Sequence, residues 1–98
     1  MGSNYSVKIT KSALKDLELV YLYILETSSS KEIAKKVKRN IVNEIFSLKL
    51  FPKRNAFVDG LGNVRRLLIY SYAVLYIIDE EKREVVILRM LSNYTDWQ

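Results

Sequence analysis

Hydrophobic and polar residues alternate at the start of the chain, recur at helical spacing through the middle, and alternate again near the end. Tyr5, Val7 and Ile9 are separated by Ser6, Lys8 and Thr10, which predicts a short, half-buried strand. Ala13, Leu14, Leu17, Val20, Tyr21, Ile24 and Leu25 follow at spacings of three and four, which predicts an amphipathic helix over residues 11–27. Thr10 or Ser12 can cap it, because a side-chain oxygen there accepts from free N–H groups of the first turn. The polar run Thr27-Ser28-Ser29-Ser30 ends this helix and caps the next. Ile33, Ala34, Val37, Ile41, Ile45 and Leu48 then form the apolar stripe of a second helix, residues 31–50. Phe51-Pro52 stops it, since the residue before a proline is driven out of helical backbone.

Residues 52–63, with Gly60 and Gly62, make the longest irregular stretch. Three strands follow, at residues 64–69, 72–78 and 84–91. A turn at Tyr70-Ser71 and a charged loop from Asp79 to Arg83 separate them. The middle strand is apolar at nearly every position, which predicts a central strand covered on both faces. The order is β-α-α-β-β-β. It predicts an α+β fold in which a helical hairpin packs on one face of a small, mostly antiparallel sheet. The short connections between the last three strands favour a meander. At 98 residues the chain is expected to be one domain.

Charge changes this picture in one place. The chain holds 16 Lys and Arg against 11 Asp and Glu, a net of +5. Residues 31–54 hold eight of the cations and two Glu, so this segment carries the whole excess. Lys31, Lys35, Lys38, Arg39 and Lys49 are expected opposite the apolar stripe of the second helix, and Lys53 and Arg54 extend the run. Such a stripe draws phosphates or an acidic protein. A solvated face that only keeps the chain soluble has the same pattern. No apolar run approaches the ~20 residues of a membrane-spanning helix, and the first ten residues hold no apolar signal region. A cytoplasmic protein away from membranes is expected.

Composition narrows the chemistry. There is no Cys and no His, which excludes disulfides, thiolates and every Ser-His or Cys-His nucleophile. No metal-ligand spacing, phosphate-binding glycine loop or dinucleotide fingerprint occurs, so no metal and no cofactor is expected. Catalysis or binding must rest on Arg, Lys, Tyr, Ser or carboxylates. Arg65 and Arg66 open a strand and face opposite sides of it. Arg89 lies inside the last strand, among Val85, Val86, Ile87, Leu88 and Met90. It must reach solvent, a carboxylate or a phosphate, because an unpaired buried charge is costly. Seven tyrosines are many for this length. Tyr94 and Trp97 stand in a tail whose pattern offers no core role.

Taken together, the chain resembles the RelE/ParE superfamily of type II toxin–antitoxin toxins over residues 5–97. The resemblance rests on the opening Tyr5-Ser6-Val7-Lys8-Ile9-Thr10 with Ala13 and Asp16-Leu17. It rests also on Leu50-Phe51-Pro52, Val64-Arg65-Arg66-Leu67, the run from Tyr72 through Tyr76 to Asp79, and Val85-Val86-Ile87-Leu88-Arg89.

It implies a growth-arresting toxin neutralised by a cognate antitoxin protein. RelE-type members cut mRNA on the ribosome, and ParE-type members bind and poison DNA gyrase without chemistry of their own. Of the two, ribosome-dependent mRNA cleavage is the first expectation, carried by the basic stripe and the arginines of the sheet. A gyrase inhibitor, or an inactive toxin fold that binds only antitoxin, is the alternative. In the nuclease reading Arg66 and Arg89, with Arg65, stabilise charge on the scissile phosphate. Tyr94 transfers a proton or stacks a base. Lys31, Lys35, Lys38, Arg39, Lys49, Lys53 and Arg54 then grip ribosomal RNA through its phosphates. Ala73 follows Tyr72 where RelE-type nucleases usually carry Arg, and Tyr94 and Thr95 stand where relatives show paired arginines.

Overall fold

The computed structural model describes residues 4–92. Strand β1, Ser6–Ile9, leads directly into helix α1, Lys11–Ser28. Thr10 makes the junction. Its Oγ1 accepts from the Ala13 N–H at 3.2 Å, capping the helix. The same hydroxyl donates to the carbonyl of Ile87 at 2.8 Å, tying the cap to a strand far along the chain. Helix α1 ends at Ser29, whose left-handed backbone turns its N–H back onto the Leu25 carbonyl. Ser30 then caps helix α2, Lys31–Phe46, by accepting from the Ile33 N–H at 3.1 Å.

The second helix is shorter than its apolar pattern predicts. Its α-helical part stops at Phe46 and tightens into a 3₁₀ turn at Ser47–Lys49. That turn keeps Leu48 fully buried. The loosened carbonyls find a partner in Arg54, whose Nη1 donates to the carbonyls of Ser47 and Leu50 at 3.3 and 3.0 Å. A side chain thus takes the place of a further helical turn. Phe51 adopts a left-handed backbone, and Pro52 opens a second 3₁₀ turn, Pro52–Arg54.

Strands β2 (Arg65–Ile69), β3 (Tyr72–Asp79) and β4 (Glu84–Ser92) form the expected antiparallel meander. The sheet order is β1-β4-β3-β2, with β1 parallel to β4. A register shift at Leu75/Tyr76 interrupts the β3–β4 ladder. The α+β architecture, with both helices on one sheet face, is as the periodicities predict.

The core lies between the helices and that face. Ala13 and Leu17 of α1, Ile41 and Ile45 of α2, and Leu48 meet Leu67, Ile69, Val74, Tyr76, Val85, Ile87 and Met90. Burial of such a side chain contributes about 1.5–3 kcal/mol. Strand β3 is buried continuously from Ala73 to Tyr76, as expected of a central strand. Leu14 and Ile33, both assigned to apolar stripes by spacing, are instead half exposed. Neither belongs to the cluster of side chains that packs between the helices and the sheet. Among the described residues no helix is long and apolar enough to cross a membrane.

Candidate functional site

Alternation along β2 separates the paired arginines. Leu67 and Ile69 belong to the core, so Arg65 shares the helix side and Arg66 takes the opposite face. Arg65 turns to the irregular segment before its strand. Its Nη1 donates to the Asn55 carbonyl at 2.6 Å and the Lys53 carbonyl at 3.2 Å, and its guanidinium lies 4.0 Å from the centre of the Phe57 ring. Tyr76, cross-strand from Arg65, holds the same segment from beneath. Its hydroxyl donates to the Pro52 carbonyl at 2.7 Å and accepts from Asn55 Nδ2 at 3.1 Å. Burial raises the Tyr76 pKa, against the Asn55 hydrogen bond and the nearby Arg65 and Arg54 charges. Tyr76 is therefore a neutral structural phenol.

On β4, Arg89 meets the carboxylate that its position demands. Nε lies 2.6 Å from Asp16 Oδ2, and Nη2 lies 3.1 Å from Oδ1. Asp16 Oδ2 also accepts the Met90 N–H at 2.9 Å. Burial works to raise the Asp16 pKa. The Arg89 and Met90 hydrogen bonds and the charges of Arg89 and Lys15 outweigh it, and the carboxyl is held below the usual aspartate range. Arg66 and Arg89 are both in register with Leu75, on either side of the central strand. Their backbones are thus about 10 Å apart. The sheet brings these two together, while Arg65 is drawn off to the loop. Tyr94 lies outside the described residues.

The basic stripe divides into several settings. Lys31, Lys35, Arg39 and Lys49 are exposed. Lys38 departs from the expected outward face: it leans on α1, 3.7 Å from Glu18 and 5.4 Å from the Tyr21 ring centre. At 100° per residue Lys38 falls beside Ile41 and Ala34, on the flank where the helices meet. Lys53 pairs with Glu80 at 3.0 Å, and Arg54 is spent on the end of α2. The Lys53 hydrogen bond first, and that of Tyr5 second, hold the Glu80 carboxyl below the usual glutamate range.

A cleft of about 440 Å³ opens between α1 and the end of the sheet. Asp16, Leu19, Val20 and Tyr23 line one side, and Ser71, Tyr72, Met90 and Ser92 the other. Leu19 and Tyr23 of this lining leave about half of their surfaces exposed. Sequence reasoning missed Asp16 and this cleft. The signal for Asp16 was present: Arg89 required a carboxylate, and Asp16 stands three residues after Ala13 and four before Val20, near the buried flank of its helix.

The family model for the ParE toxin of the type II toxin–antitoxin system parDE matches residues 7–97. The chain belongs to the ParE toxin family. Its fold is that of solved toxins of the wider RelE/ParE group. A structure of the chromosomal ParDE system from P. aeruginosa superposes with a TM-score of 0.79 at 22% identity, over 93% of this chain and 98% of the other. A RelBE toxin–antitoxin complex from Mycobacterium tuberculosis gives a TM-score of 0.68 at 25% identity, over 94% of each chain. An archaeal RelE–RelB complex from Pyrococcus horikoshii gives 0.66 at 19% identity, over 94% of this chain and 98% of the other. No curated protein sequence matches the chain. As a ParE-family toxin, the protein is the toxin component of a type II toxin–antitoxin system.

Proposed function

We propose that this toxin arrests growth by binding DNA gyrase in the cytoplasm, and that it does so without cleaving mRNA. The observation that carries this reading is the employment of the arginines. Arg89 is locked to Asp16 through two hydrogen bonds, and Arg65 to the carbonyls of Lys53 and Asn55. Ala73 stands beside Tyr72, where a nuclease of the RelE type usually carries a further cation. Phosphoryl-transfer catalysis needs cations aimed at the developing charge. Here two of the three candidates are held by protein groups, Arg89 by Asp16 and Arg65 by backbone carbonyls. Membership of the ParE family supports the same reading.

The deciding experiment uses the purified chain against gyrase and against a translating extract. Inhibition of supercoiling, with mRNA left intact on ribosomes and with Arg66→Ala still inhibitory, is the expected result. Ribosome-dependent mRNA cleavage that Arg66→Ala abolishes, with supercoiling untouched, overturns it. The placement of Arg66 and Arg89 on either side of Leu75 is what favours that second reading.

A cognate antitoxin belongs to the proposal as well. The solved relatives from Mycobacterium tuberculosis and Pyrococcus horikoshii are toxin–antitoxin complexes. The cleft beside α1 offers exposed Leu19 and Tyr23 to an apolar segment of such a partner.

A further inference from the structure

One corner of the molecule is built around a ring that neither the arginines of the sheet nor the α1 cleft employs. Phe51 is 76% exposed, more than any other large apolar side chain among the described residues. It also holds φ at 56°, in the left-handed region that penalises a side chain with a Cβ. The fold thus carries backbone strain at a residue whose ring it does not bury. Strain that is not repaid by packing is a pointer to use elsewhere.

The surroundings of the ring are specific. Phe51, Tyr5, Pro52, Lys53 and Arg54 line a concavity of about 510 Å³. Leu50, 43% exposed, adds apolar surface from the position before the ring. Lys49 and Arg54 stand within three residues of the ring, and Lys53, also beside it, is paired with Glu80. The Arg54 fork is fixed on Ser47 and Leu50, so its charge is held in place before any partner arrives. An exposed aromatic with a cationic rim complements an apolar pocket rimmed by carboxylates.

We propose that Phe51 is the anchor through which the toxin seats itself in an apolar, acid-rimmed pocket of its protein target. This rests on the reading of the chain as a toxin that acts by protein binding. The neighbouring Tyr5, Leu50 and Pro52 favour a protein pocket over a nucleic-acid base, which needs one flat ring and phosphate contacts. The anchor also stands clear of the α1 cleft. Tyr72 pairs with Ser92 at the cleft end of the sheet, whereas Asp79 pairs with Glu84, and Glu84 with Ser6, at the end beside Tyr5. The length of β3, about 25 Å, separates them.

The test is Phe51→Gly in the full chain. Glycine removes the ring and accepts the left-handed backbone, so the melting temperature is expected to hold or rise. Growth arrest on induction is expected to be lost, and the midpoint for inhibition of gyrase supercoiling to rise at least about tenfold. A Phe51→Gly toxin that arrests growth as the wild type does overturns the anchor. So does tight binding of a labelled single-stranded oligonucleotide that depends on Phe51, because the ring then stacks on a base. Wild-type inhibition of gyrase that Phe51→Gly retains defeats the anchor and leaves the gyrase reading standing. Growth arrest that depends on Phe51 without any effect on gyrase supports the anchor and defeats the choice of gyrase.

Discussion

Arg89 grips Asp16 with two prongs, Nε to Oδ2 at 2.6 Å and Nη2 to Oδ1 at 3.1 Å, across 73 residues of chain. The same carboxylate accepts the Met90 N–H. Strand β1 is in register with β4 only as far as Ile87, so the far part of this β4 edge lacks a strand neighbour. Thr10 and Asp16 side chains take over there. Asp16→Ala removes all three hydrogen bonds at a nearly buried site, and is expected to cost about 2–3 kcal/mol in urea denaturation. Arg89→Ala is expected to cost about 1 kcal/mol or less, because half of that side chain is exposed and screened. Equal losses in the two variants would show that Met90 gains nothing from Asp16.

The lowered pKa of Asp16 contributes to the acid limb of stability. A carboxyl whose folded value lies below its unfolded value stabilises fully above the unfolded one, about 3.9 for aspartate. That contribution is lost as pH falls through the lowered folded value. Unfolding followed from pH 6 to pH 2 is expected to show stability falling below about pH 4, with a shallower fall in Asp16→Asn. An unchanged slope in the variant would place the acid sensitivity elsewhere.

Tyr76 offers a test of how the loop before β2 is held. Tyr76→Phe keeps the ring in the core but deprives the Pro52 carbonyl and Asn55 of their partner. A loss of about 1–2 kcal/mol is expected. Hydrogen exchange should quicken at the Arg54 and Val58 amides before it quickens in β3. Uniform quickening throughout the sheet would mean that the hydroxyl supports the whole core.

On α1, Leu19→Glu and Tyr23→Glu alter cleft side chains that are 54% and 57% exposed. Stability is expected to stay within about 0.5 kcal/mol of the wild type. Neutralisation by a cognate antitoxin is expected to weaken at least about tenfold. Growth should then remain arrested when toxin and antitoxin are produced together. Full neutralisation of both variants would move the antitoxin away from this cleft.

Much of the fold was legible because its signals are local. Thr10 and Ser30 cap the two helices, and the charged loop at Asp79–Arg83 separates the last two strands, as spacing and side-chain chemistry foretell. The end of α2 was misjudged because Arg54, eight residues beyond Phe46, supplies what the helical pattern assigned to backbone. Lys38 was misplaced because its partner Glu18 belongs to another helix.

The sequence by itself determined the order of elements, the caps and the central strand. Those follow from periodicity and from residue types that act on near neighbours. Only the tertiary structure decided that Asp16 answers Arg89, that Arg65 and Arg54 are tied to carbonyls, and that Phe51 stands in solvent on a strained backbone. The physical reason is the same in each case. A charge or an aromatic ring takes its role from the groups that folding brings to it, and those groups lie in other segments of the chain.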